Sequence, residues 1–144
     1  MPFPRRPLPM RSLRHIERQL RLELPSEHRR CLTELDDPIH EACDFLVIDS
    51  AHQLLRIVDV NRQLHSPDGR DPWPSFLVAL ASNGCGDYFA YDTRHTPYPI
   101  LYLDPDRTVG ENLGASTALT FASFSAWRRD KLWRHAWVLS LIHI

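Results

Sequence analysis

Cysteine is scarce in this sequence: Cys31, Cys43 and Cys85 are the only three, and no two form a CxxC pair. That spacing argues against a cysteine zinc site and against a disulfide scaffold, and reduced thiols in a cytoplasmic protein are the plain reading. Long apolar runs are missing as well; none approaches the roughly 20 residues that cross a bilayer. The opening MPFPRRPLPM has no apolar stretch of the kind a secretory signal needs. Neither sign of charge is in excess, since 17 Lys and Arg stand against 18 Asp and Glu. A net charge near zero gives no global pull toward nucleic acid or membrane. His40, His52, His65 and His95 are scattered without HxH or HExxH spacing, so no metal is expected. The segment DPDRTVGE, 104–111, lacks the alternating oxygen ligands of a calcium loop and reads as a turn.

What is present suits one globular domain. The chain has 144 residues, 43% of them apolar, enough to bury a real core. Charge is distributed unevenly. Arg5, Arg6, Arg11, Arg14, Arg18 and Arg21 make the start basic; Glu34, Asp36, Asp37, Glu41, Asp44 and Asp49 make the next part acidic. Arg128, Arg129, Lys131 and Arg134 make the end basic again. A basic arm on nucleic acid is one reading. Arginines spread over a solvated helix face are the plainer one, so direct nucleic-acid binding is not expected.

Residues 1–10 are Pro-rich and read as a flexible tail. From Ser12 the spacing of Leu13, Ile16 and Leu20 predicts a helix, stopped by Pro25. Ser26 is a candidate N-cap for a second helix, EHRRCLTEL, with Cys31, Leu32 and Leu35 facing inward. DFLVID, 44–49, reads as a strand, SAHQ as a turn, and LLRIVDV as a further extended piece running into a short helix through NRQL. SPDGRDPWP, 66–74, is dense in turn formers and must be a loop, with Trp73 anchoring it to the body. SFLVALAS, DYFAYDTR and PILYLDPD then read as three consecutive strands of an antiparallel meander. A final amphipathic helix is expected over about Ala115 to Arg134, its inner face made by Leu119, Phe121, Phe124, Trp127 and Leu132. The sum is an α+β fold: two N-terminal helices, an antiparallel sheet of about four to five strands, and a C-terminal helix.

The stretch ASNGCGDYFAYD, 81–92, admits four readings: phosphate loop, metal site, catalytic cysteine, or tight turn. No Lys-Ser or Lys-Thr follows its glycines, and no helix is expected there, so a phosphate loop is not supported. Cys85 as nucleophile would need a base beside it. Asn83-Gly84 between two strand-like runs is the strongest short hairpin signal, because both residues tolerate positive φ; Gly86 can supply a bulge. The turn reading needs no ligand. Asp87 and Asp92 can bond turn amides there.

These residues resemble a known family. A strand ending in Asn83-Gly84, then Gly86-Asp87-Tyr88-Phe89, then a strand ending in Asp92 is similar to the SUKH superfamily, more narrowly its Smi/Knr-type domain. Leu24-Pro25 between two helices, and a closing helix with Phe121, Phe124 and Trp127, fit the same pattern; DDPIHEAC stands where the family often has a Gly-rich turn. The resemblance covers about residues 11–130 of a domain expected over 11–138. It implies a small α+β domain that binds proteins, catalyses nothing and holds no cofactor. Many bacterial members are immunity proteins that neutralise a cognate toxin domain, often a nuclease. Some eukaryotic members are cell-wall or signalling regulators. The family offers no active-site residue to carry over, and the Asn83, Gly84, Gly86, Asp87 and Tyr88 positions belong to the hairpin. An inhibitor of a nuclease gains by presenting acid to a basic groove. Asp87, Asp92, Asp104, Asp106 and Glu111 could form such a face or only a solvated rim. A regulatory adaptor of the same fold and an unrecognised small enzyme are the alternatives.

The last residues, LSLIHI, read as a translation of CTG TCT CTT ATA CAC ATC, which resembles the mosaic end of a transposase library adapter. Leu139–Ile144 are therefore expected to be adapter-derived.

Overall fold

A computed structural model describes residues 8–47, 56–114 and 119–142. Helix α1, Met10–Leu20, buries Leu13 and Ile16, the stripe expected from their spacing. It ends at Arg21, which takes the left-handed conformation at φ 55° and returns its amide to the Arg18 carbonyl. Pro25 then caps α2, Ser26–Thr33, so Ser26 is the first helical residue and not the cap. Cys31 and Leu32 are buried as expected, whereas Leu35 lies past the helix and is half-buried. The acidic stretch that followed no family pattern forms a short helix, α3, Ile39–Ala42. Its start is fixed by Asp37, whose carboxylate accepts the Ile39 amide at 3.0 Å and the Arg128 guanidinium at 2.9 Å.

Strand β1 is only Asp44–Phe45. The end of the expected strand, the SAHQ turn, His52 and the expected helix start at Ala115 lie outside the described residues. Of the extended piece expected through LLRIVDV, Leu54 and Leu55 lie outside the described residues, and from Arg56 it is instead helix α4, Arg56–His65. Local preference favours extension for Ile57, Val58 and Val60, but tertiary bonds decide otherwise. Strands β2 (Leu77–Ser82), β3 (Tyr88–Asp92) and β4 (Ile100–Leu103) form the expected meander. Helix α5, Val109–Gly114, and strand β5, Thr120–Phe121, follow, and α6, Phe124–Ile142, closes the fold. The last helix begins nine residues later than Ala115, because Thr120 and Phe121 pair with Leu101 and Ile100. Leu119, expected on its inner face, is exposed. The five strands are antiparallel in the order β1-β2-β3-β4-β5, giving the α+β architecture read from the sequence.

On β3, Phe89 and Tyr91 face α2 and α6: Phe89 meets Trp127 and Tyr91 meets His28. Tyr88, on the opposite face, meets Trp73 edge-on at 5.7 Å, which is how the 66–74 loop is anchored.

Helix α4 lies along the β2 edge beyond the short β1. The Asn61 side chain accepts the Ala79 amide at 2.8 Å and donates to the Ala79 carbonyl at 2.9 Å. One turn on, a His65 ring nitrogen lies 2.6 Å from the Leu77 carbonyl. The match is geometric: four helical residues rise about 6 Å and two strand residues about 6.6 Å. Asn61→Ala strips the partners from both backbone polar groups of buried Ala79 and is expected to lower stability by about 2 kcal/mol in urea denaturation. An effect under about 0.5 kcal/mol would show that solvent replaces the amide.

Candidate interaction surface

Asn83, Gly84 and Gly86 form an exposed loop between β2 and β3. It is longer than a two-residue turn, with Gly84 and Gly86 at φ 91° and 81°. Nothing lies within 4 Å of a Cβ built on Gly84, so only its backbone angle resists substitution. Gly84→Ala is expected to lower stability by about 1–2 kcal/mol, read as a fall in Tm.

Asp87 organises this loop from beneath. Its carboxylate accepts the Ser82 hydroxyl at 3.2 Å, the Asn83 amide at 3.0 Å and the Tyr102 hydroxyl at 3.0 Å. Burial alone would raise the Asp87 carboxyl; the bonds from Asn83, Tyr102 and Ser82 outweigh it and hold it below its usual value. The same arrangement pushes the Tyr102 hydroxyl up to about 12, first by burial and then by the bond to Asp87. Lys131 of α6 donates to Asn83 at 2.6 Å and sits 4.4 Å above the Phe89 ring, tying helix to loop.

The five acids considered as a binding face are not gathered into one. Asp87 and Asp92 are 3% and 4% exposed, with their oxygens bonded inside the fold. They flank β3 at opposite ends, about 16 Å apart along the strand. Asp92 accepts the Arg94 guanidinium at 2.9 and 3.0 Å, which holds its carboxyl below the ordinary value. Asp104, Asp106 and Glu111 reach solvent, but Asp104 caps its own turn through the Asp106 amide, and Glu111 closes on Thr108.

The thiols differ by location. Burial pushes Cys31 up to about 11 and Cys43 up to about 12, which makes both poor nucleophiles. Cys85 is free and exposed on the loop. Among the described residues, no group of three His, Cys, Asp or Glu side chains could hold a metal ion.

A groove of about 790 Å³ opens where α1, α4 and the start of β2 meet. Val58, Trp73, Phe76 and Val78 contribute apolar lining, and Arg21 and Arg62 stand at it. Sequence reasoning missed this groove. Trp73 was legible as an anchor, but nothing local signals that α4 brings Arg62 beside it.

Together these elements define a small α+β domain whose central polar residue, Asp87, is bonded within the fold. The model of the SMI1/KNR4 family (SUKH-1) matches residues 7–130, and the chain belongs to that family. No curated protein and no solved structure gives a match. No helix among the described residues is long and apolar enough to cross a membrane.

Proposed function

We propose that this chain is a non-catalytic protein-binding module of the immunity type, which neutralises a cognate toxin domain in the cytoplasm by covering part of its surface. The observation that carries the reading is the fate of the motif's polar groups. Asp87 is bonded to Ser82, Asn83 and Tyr102, and Ser82 in turn accepts the Gly84 amide at 2.8 Å. Groups so bonded hold the fold together and are not free to bind a substrate. Recognition then falls to exposed side chains. Family membership supports the same reading.

The test is co-expression of the full chain with the toxin domain encoded in the neighbouring reading frame. Restored growth and co-purification of the two proteins are expected. Cys85→Ser should protect as well as the parent, since the thiol takes no part. Unrelieved growth arrest without co-purification, or loss of protection in Cys85→Ser, would overturn the proposal.

A further inference from the structure

The exposed charge of this protein has a definite arrangement. Arg11, Arg14 and Arg18 recur at intervals of three and four, which places them on one stripe of α1, and Arg21, the residue that ends the helix, lines the same depression as they do. The row is about 15 Å long. All four are exposed, and among the described residues none of them makes an ion pair. Glu17 and Glu23 stand beside the row but are turned to Arg29: Glu17 is held by the Arg29 guanidinium and the Leu24 amide, each at 2.8 Å, and Glu23 by the same guanidinium at 3.3 Å. Arg21, the last of the row, lines the groove, as does Arg62 from α4. No Asp or Glu is among the groove's lining residues. Two further polar side chains there are occupied. His65 has its ring nitrogens 2.6 Å from the Asn61 and Leu77 carbonyls, and Asn61 is bonded to Ala79.

We propose that this groove and the arginine row leading into it form the docking face for an acidic polypeptide segment, with an apolar side chain of the partner seated between Arg21 and Arg62. The proposal deepens the protein-binding reading and rests on it. An extended segment advances about 6.6 Å every second residue against about 4.5–6 Å between the arginines, a difference the long arginine side chains span, so alternate acids can meet neighbouring guanidinium groups. Bidentate arginine–carboxylate pairing supplies register, and the apolar floor supplies the anchor.

Nucleic acid fits the face less well. Single strands need exposed aromatic faces on which bases stack. Here Trp73 is 9% exposed and flanked edge-on by Tyr88 and His65, and the Phe76 ring is covered by the Arg94 guanidinium at 4.0 Å.

Fluorescence anisotropy decides the matter with three labelled probes on the full chain. These are a peptide of alternating Glu with a central Leu-Phe, the same peptide with Lys for Glu, and a single-stranded DNA oligonucleotide. The Glu peptide is expected to bind, more weakly as salt rises, and the Lys peptide not to bind. Arg21→Glu with Arg62→Glu should weaken the Glu peptide at least about tenfold. Arg107→Glu with Arg129→Glu, the same change in net charge elsewhere, should leave it within about twofold. Should Arg21→Glu disturb the end of α1, seen by circular dichroism, Arg62→Glu alone carries the same expectation at smaller size. Absence of Glu-peptide binding, equal binding of the Lys peptide, or equal loss in both double variants overturns the proposal. Tighter binding of the oligonucleotide, lost in the Arg21/Arg62 variant, would reassign the face to nucleic acid. Toxin capture that survives the Arg21/Arg62 change would leave the immunity reading intact and place its contact elsewhere.

Discussion

Asp87→Ala is expected to lower the stability of this protein by about 3 kcal/mol in urea denaturation, with an unchanged m-value. The side chain is 3% exposed and joins Ser82, the Asn83 amide and the Tyr102 hydroxyl. Removing it leaves donors on β2, the loop and β4 without their acceptor at once. Hydrogen bonds to a charged group contribute about 1.5–3 kcal/mol each, and they are not additive when they share one acceptor. Asp87→Asn keeps one acceptor oxygen but sets an amide group where the second donor points, so an intermediate loss of about 1–2 kcal/mol is expected. Because the folded carboxyl is held below its ordinary 3.8, its contribution is fully present above that value and fades as pH falls through the lower folded one. An Asp87→Ala loss below about 1 kcal/mol would sink the idea that this residue organises the hairpin.

The second large effect concerns His28. It is fully buried, stacked on Phe124 with ring centroids 4.7 Å apart, and its Nδ1 lies 2.7 Å from the Tyr91 hydroxyl. Its other ring nitrogen, Nε2, has no hydrogen-bond partner among the described residues. Burial lowers its pKa from 6.5 to about 3. The unfolded chain therefore binds a proton between these values that the folded chain refuses. Stability is undiminished above about pH 6.5 and falls by about 1.4 kcal/mol for each pH unit below it, until the folded value is reached. Over the full window the loss is about 5 kcal/mol, comparable with the whole stability of a small domain. His28→Leu removes the titration, so its stability should lose that slope between about pH 6.5 and 4. Asp37, Asp87 and Asp92, whose carboxyls are held below 3.8, act mainly under that window. Parallel pH profiles for parent and variant would refute the assignment.

Much of the fold could be read before any coordinates, and the reasons are local. Leu13, Ile16 and Leu20 mark one helical stripe, and the run from Ala81 to Asp92 combines alternation with an Asn-Gly break. Helix α4 was misread because Ile57, Val58 and Val60 favour extension, while its state depends on Asn61 reaching Ala79, 18 residues away. Strand β5 was missed because two residues carry no period. The burial of two of the five candidate acids has a related reason. Asp87 and Asp92 bond turn amides as their positions suggest, but the side chains of Tyr102 and Arg94 that also reach them are not signalled locally. The arginine stripe was visible as spacing; its junction with Arg62 and Trp73 was not, since three separate segments meet there.

The seal that α4 places along β2 also bears on how this protein associates with others. A foreign strand approaching Ala79 and Leu77 finds their peptide groups already engaged by an amide and an imidazole. Templated growth of the sheet is blocked on that side. At the opposite rim the last strand is two residues long, too short a rail for another chain to follow. A domain built this way meets its neighbours through side chains, and its surface can change from one relative to the next without putting the sheet at risk of polymerising.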